Sequence, residues 1–163
     1  MIKDRVLLGT IAGLAGNLVK TAIDEISLRM KVSQRSFRVT AAGVWLPTAQ
    51  EADSLRVQVL GGILDSGMAI LGGVGTVQLL TTTGKDQLMV KGIVSGVALG
   101  SMITAMMSGL IRNKVQPKDA ASNLSYMLSH AAYGLVTTYV AAKLGDASLF
   151  MEKPYGRAST ARP

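Results

Sequence analysis

Apolar residues run along this chain in four long blocks: about Val6 to Ile26, Leu55 to Leu80, Leu88 to Ile111 and Leu124 to Leu144. Each is about 20 residues or longer, and at about 1.5 Å of helix rise per residue that length matches a hydrocarbon core of about 30 Å. The second and third blocks have almost no polar outer face, which a soluble four-helix bundle would need. The pattern predicts an all-α integral membrane protein. Its four-transmembrane-helix bundle occupies residues 1–145, and a basic C-terminal tail occupies 146–163. Lys3 and Arg5 ahead of "VLLGTIAGLAG" have the form of a secretory leader, but the block is taken as the first spanning helix.

Within each block the small residues are periodic. Gly92, Gly96 and Gly100, continued by Thr104 and Ser108, form one ridge along the third helix, and Gly9 and Gly13 do the same on the first. On the second helix Gly62, Asp65, Ala69, Gly72 and Thr76 share a face; on the fourth, Ser122, Tyr126, His130, Gly134, Thr138 and Ala142 do. In lipid, where no hydrophobic force drives helices together, such ridges let backbones approach closely. They serve packing inside one bundle, or association of bundles into an oligomer.

Ionisable residues interrupt the blocks at one level. Measured from the side bearing the first and third connections, Lys20, Asp65 and His130 each lie about 7 to 9 residues inside a helix, roughly 10 to 14 Å deep. Asn17, Thr21, Ser66 and Thr104 reach similar depths. Charges in hydrocarbon cost several kcal/mol unless paired or hydrated, so a Lys20–Asp65 ion pair completed by Asn17 and His130 is the economical arrangement. Two uses fit this layer: a path for an ion or proton, with His130 titrating, or a buried clasp that sets helix register while Lys20 snorkels to the surface. One histidine gives little support to a metal site, and no metal or cofactor is expected.

The connection over residues 27–54 mixes Arg29, Lys31, Arg35 and Arg38 with Phe37, Val39, Val44, Trp45 and Leu46. It reads as an interfacial hairpin or short amphipathic helix touching anionic head groups or a protein partner, with Trp45 at head-group depth and Pro47 ending it. "TTTGKDQ" is a short turn, and Ser122 or Asn123 is the expected N-cap of the fourth helix. The tail "DASLFMEKPYGRASTARP" reads as an exposed basic extension that meets a partner. Apart from Lys20, Lys and Arg divide eight to eight between the two sides, so charge bias does not choose an orientation.

Composition agrees with the pattern. The 163 residues are 48% hydrophobic and only 17% charged, below the roughly 25% charged of an average soluble protein. With 18 glycines and only two Phe, one Trp and four Tyr, the core is built from small and aliphatic groups. The net charge of +7 lies between apolar blocks and in the tail, where lipid head groups explain it better than nucleic acid. No cysteine is present, and no nucleophile elbow, His-Glu-x-x-His or phosphate loop occurs, so no enzymatic activity is expected. The expectation is a structural or accessory subunit, or scaffold, of a membrane assembly, homo-oligomeric and located in a bacterial cytoplasmic membrane. A small channel or transporter subunit is the alternative.

Overall fold

The computed structural model describes residues 1–109 and 113–150. Among them are five α-helices, α1 (Arg5–Arg29), α2 (Phe37–Ala42), α3 (Leu55–Thr83), α4 (Leu88–Gly109) and α5 (Ala120–Leu144), with three short 3-10 turns and no strand. Three of the helices, α1, α3 and α4, are long and apolar enough to cross a membrane. This marks a membrane-embedded protein.

Three of the four long helices, α1, α3 and α5, start where the sequence supplies a cap. Asp4 accepts from the Leu7 N–H at 2.7 Å, Ser54 from Val57 at 3.4 Å and Asp119 from Ser122 at 2.7 Å. The cap of α5 is therefore Asp119, and the helix begins a turn earlier than its apolar block suggests. Ser122 faces inward instead and accepts from the Gln34 N–H at 2.9 Å. At the other end of α3, Gly84 takes φ 80°, open chiefly to glycine, and ends the helix. Lys91 then reaches back to the Thr83 and Gly84 carbonyls at 3.1 and 3.0 Å, placing a cation at the negative end of α3.

The order of packing is α3 on α1, α1 on α5 and α5 on α4, with α3 and α4 scarcely touching. Small residues set these contacts. A methyl group on Gly9 would meet the Val74 backbone and one on Gly13 the Gly73 Cα; across the other seam, a methyl on Gly134 would run into Gly92 and Gly96, and one on Gly100 into the His130 ring. The inward face of α3 keeps Asp65, Ala69 and Thr76 of the predicted set, and a methyl on Gly72 would meet Tyr133 and Leu99, but Gly62 is replaced by Gly61. Gly61, Asp65, Ala69, Gly73 and Val77 are buried at a strict spacing of four, while nothing lies within 4 Å of a methyl placed on Gly62. The sequence offers two glycines at 61–62 and two at 72–73, and an α3 lined up on Asp65 every fourth residue selects 61 and 73.

The connection between α1 and α3, expected as an interfacial hairpin or a short amphipathic helix, folds into a cap around the short helix α2. In α2, Phe37, Val39, Thr40, Ala41 and Ala42 are buried, and Val39, Ala42 and Leu46 form a core with Ala52, Val57 and Val115 from the connection after α4. Tyr126 ties the cap to α5 by donating to the Arg35 carbonyl at 2.7 Å. At the opposite end Ile2 bridges to Gly145, and Leu149 and Phe150 pack on Leu8, Ala12, Val77, Leu80 and Ala141. The tail is thus folded onto the bundle as far as Phe150, because its first apolar residues meet a core; residues 151–163, where the partner contact was expected, lie outside the described residues.

These contacts separate glycines that matter from one that does not. Gly134→Val should lower stability by about 1–3 kcal/mol, the usual cost of overpacking, whereas Gly62→Ala should leave it unchanged or slightly raised; thermal unfolding in detergent reads both. The Asp119 carboxyl is held below its ordinary range by the Ser122 hydrogen bonds. Its folded-state value being depressed, the stabilisation is complete above the ordinary value of 3.8 and is lost as pH falls through the folded-state value. Hydrogen exchange at the Ser122 amide should therefore lose protection in acid, and not in an Asp119→Asn variant.

Candidate functional site

On α1, Asn17, Lys20 and Asp24 occupy one inward face at steps of three and four, and all three are buried. Lys20 does not snorkel: its side chain is 3% exposed, and Nζ lies 2.9 Å from each carboxylate oxygen of Asp65 on α3. Asp24, one turn further along α1, places Oδ2 3.5 Å from the same nitrogen. One ammonium therefore faces two carboxylates. The Phe37 ring, carried in by α2, covers it with the centroid 4.8 Å from Nζ. Gly61 makes this possible, since a methyl there would collide with the Arg38 backbone of α2.

His130 of α5 enters from the other side. Its Nδ1 lies 2.7 Å from the Tyr126 carbonyl, one turn back on the same helix; a carbonyl only accepts, so Nδ1 carries the proton and Nε2 is the free acceptor. The ring packs edge-on against Phe37, with centroids 4.6 Å apart. A layer away, Tyr133 donates to the Ala69 carbonyl at 2.6 Å and joins α5 to α3.

Lys20, Asp65 and His130 line one cavity together with Met68, Leu99 and Tyr133. Its volume is about 10 Å³, at the lower limit for a single water. A second cavity of about 10 Å³ lies toward the cap, lined by Thr21, Asp24, Glu25, Ser36, Arg38 and Asp65. No family model, curated protein or solved structure matches the chain. What the site does therefore rests on its geometry. Among the described residues no group of three His, Asp or Glu side chains is placed to hold a metal ion.

Asn17 and Thr104 do not join the ion pair. Asn17 is buried beside the cluster, but its Oδ1 has no partner, so it does not complete the Lys20 pair. His130 spends its donor on its own helix, where the carbonyl one turn back is the nearest acceptor. Thr104 is at a similar depth but faces away, lining a cleft with Ser108, Asn113 and Gln116; on α4 the face toward α5 belongs to Gly92, Gly96 and Gly100. Asp24 was not part of the layer expected from depth, although the sequence could have placed it here. Its position four residues after Lys20 is the signal that could have done so.

The basic connection is partly neutralised within the chain. Arg29 pairs with Glu25 at 2.9 Å, and Arg38 and Arg35 approach Glu25 and Asp53 at 3.8 Å each. Lys31 is exposed in a turn with φ 58°. Trp45 is exposed at the rim of an apolar groove of about 200 Å³ between α2, α3 and α4, walled by Phe37, Leu64, Met68, Ile103 and Met106 and reaching Asp65.

Removing the ammonium should cost far more than removing the second carboxylate. Lys20→Met leaves buried acids without their cation and should lower stability by about 3–5 kcal/mol; Asp24→Asn keeps the Lys20–Asp65 pair and should cost less than about 1 kcal/mol. Equilibrium unfolding in mixed micelles compares the two.

Proposed function

We propose that the chain is a four-span membrane protein that serves as a structural or accessory subunit through association with a second copy of itself. α5 crosses with the others: its 25 residues are long enough, its serines, threonines and His130 point inward, and outward it presents Leu124, Leu128 and Tyr139. The observation that carries the oligomeric reading is the outer side of α3. Gly67 and Gly75 meet nothing within 4 Å, on a face with exposed Ile63 and Leu71. Inside one chain a glycine in a helix only weakens it, by about 1 kcal/mol against alanine. Two of them, two turns apart on an unpartnered apolar face, fit the close approach of another helix. The groove between α3 and α4 extends that face.

The alternative, a channel or transporter subunit, draws support from the charged cluster at mid-depth. Against it, the two polar cavities beside the cluster hold at most one water each, the larger groove that reaches Asp65 is apolar, and Lys20 is held between its acids. The cluster is then a clasp that fixes the register of α1 on α3.

Sedimentation or light scattering in mild detergent tests the reading. The wild-type chain should run as a defined homo-oligomer, and Gly67→Leu combined with Gly75→Leu should give a monomer with an unchanged unfolding midpoint. A monomeric wild type, or an oligomer indifferent to both substitutions, refutes it. Asp65→Asn chains that still assemble but abolish proton flux in liposomes would favour transport.

A further inference from the structure

Between α3 and α4, on the side of the cap, lies a groove that none of the described residues fills. The two helices follow one another through the short turn at residues 84–87 yet scarcely touch. Their separation leaves an apolar groove of about 200 Å³, walled by Phe37 and Ala41 of α2, Leu64 and Met68 of α3, and Ile103 and Met107 of α4. Asp65 is the one charged group among the described residues that lines it, and both its oxygens are turned to Lys20 at 2.9 Å. Because α3 and α4 both have the length and apolar surface to cross a membrane, a groove between them faces hydrocarbon and not water. Left empty, such walls forfeit dispersion contacts, and apolar cavities stay free of water.

We propose that the groove binds one acyl chain of an anionic phospholipid of the surrounding bilayer, whose phosphate meets the Lys114 ammonium at the cap-side mouth. Three observations select this occupant. The volume takes a run of several methylenes, whereas a helix of a second copy, about 10 Å across, does not enter it. Met68, Met106 and Met107 give the walls three unbranched, flexible side chains, which adapt to a ligand without fixed shape. At the mouth Trp45 is exposed, the position an indole takes at head-group depth, and Lys114 donates its backbone N–H to the Gly43 carbonyl at 3.4 Å, next to Val44 and Trp45 of the lining.

Charge on this side of the bundle favours an anionic head group. Arg29 and Arg38 share Glu25, and Arg35 approaches Asp53. Outside the Lys20 cluster the remaining acids here, Glu51 and Asp119, accept from the Thr48 hydroxyl and the Ser122 N–H. Lys114, like Lys31, Arg56 and Lys118, is exposed and forms no ion pair among the described residues, so its ammonium is available to a lipid phosphate. The inference rests on the membrane embedding of α3 and α4 and not on self-association. A partner helix on Gly67 and Gly75 covers the ridge beside the groove, and either reading can fail alone.

Trp45 is the only tryptophan in the chain, and its fluorescence reads the site directly. The full chain in mild detergent is titrated with phosphatidylglycerol or phosphatidylcholine whose acyl chains carry bromine, a contact quencher of indole. Quenching should saturate at one lipid per chain, with phosphatidylglycerol binding about fivefold more tightly, the worth of one lysine beside an anionic surface. Lys114→Gln should remove most of that preference and leave quenching by phosphatidylcholine unchanged, whereas Val44→Phe, which narrows the mouth, should weaken both lipids alike. Gly67→Leu combined with Gly75→Leu should bind lipid as the wild type does. Quenching that rises in proportion to brominated lipid without saturating overturns the proposal, as does an unchanged preference in Lys114→Gln. Quenching that appears only in the double glycine variant overturns it too, and gives the groove to a second copy.

Discussion

The fold depends on the requirement that the Lys20 ammonium, buried among apolar helices, meet a carboxylate. Salt-bridge geometry at 2.9 Å tolerates little displacement, and in an interior of low dielectric the loss of one partner is costly. Backbones of α1 and α3 must therefore come together at one register. The small residues supply that approach: Gly9, Gly13 and Gly73 bring the two helices into contact on the side of the pair away from the cap. On the cap side Gly61 admits α2, and with it Phe37, over the charge. The same helix faces that look like a packing ridge in sequence are, in space, the means of holding one ion pair.

α5 is placed by a parallel set of constraints. Its contact with α4 runs through Gly134 against Gly92 and Gly96, and Gly100 leaves the space that His130 fills. The imidazole then closes the apolar wall of the cluster by stacking edge-on to Phe37, which itself packs edge-on to Tyr126. Tyr126 and Tyr133 direct their hydroxyls to backbone carbonyls of the cap and of α3, so two of the four tyrosines act as struts between elements. With few aromatics available, each occupies a position where its polar tip is satisfied as well as its ring.

Much of this was legible in the sequence, and the failures share a cause. Helix positions followed from apolar length, and the common depth of Lys20, Asp65 and His130 followed from counting rise per residue. Depth, however, says nothing of azimuth. Thr104 has the right height on α4 and the wrong direction, and Gly62 lies one residue from the face that packs. Adjacent glycine pairs at 61–62 and 72–73 left the face of α3 ambiguous until Asp65 was paired. Boundary errors were local: Asp119 caps α5 by accepting from the Ser122 N–H, while Ser122 itself turns inward to the Gln34 N–H, which an apolar block cannot reveal. The folding of Leu149 and Phe150 onto the core was hidden by the polar composition of the residues that follow them.

Interior and exterior of the bundle differ in how completely their chemistry is used. Inside, every glycine of the α1–α3 and α4–α5 seams has a neighbour that would resist a methyl, and the ammonium is matched at two oxygens. Beside other unpartnered atoms such as Asn17 Oδ1 and Arg38 Nε, two features are left over. One is a carboxyl oxygen on Asp24 with no donor; the other is the outer side of α3, with glycines that nothing approaches and a groove that α4 does not fill. A sequence under no demand beyond folding would gain by replacing both, with alanine for the glycines and asparagine or leucine for the acid. The acid recovers part of its desolvation from the Lys20 ammonium 3.5 Å away, whereas the cost of the outward glycines in helix stability is not recovered by a contact among the described residues. On the outer side of α3 the glycines leave room for a second helix to approach as closely as α1 does on the inner side, which is the observation behind the proposed self-association.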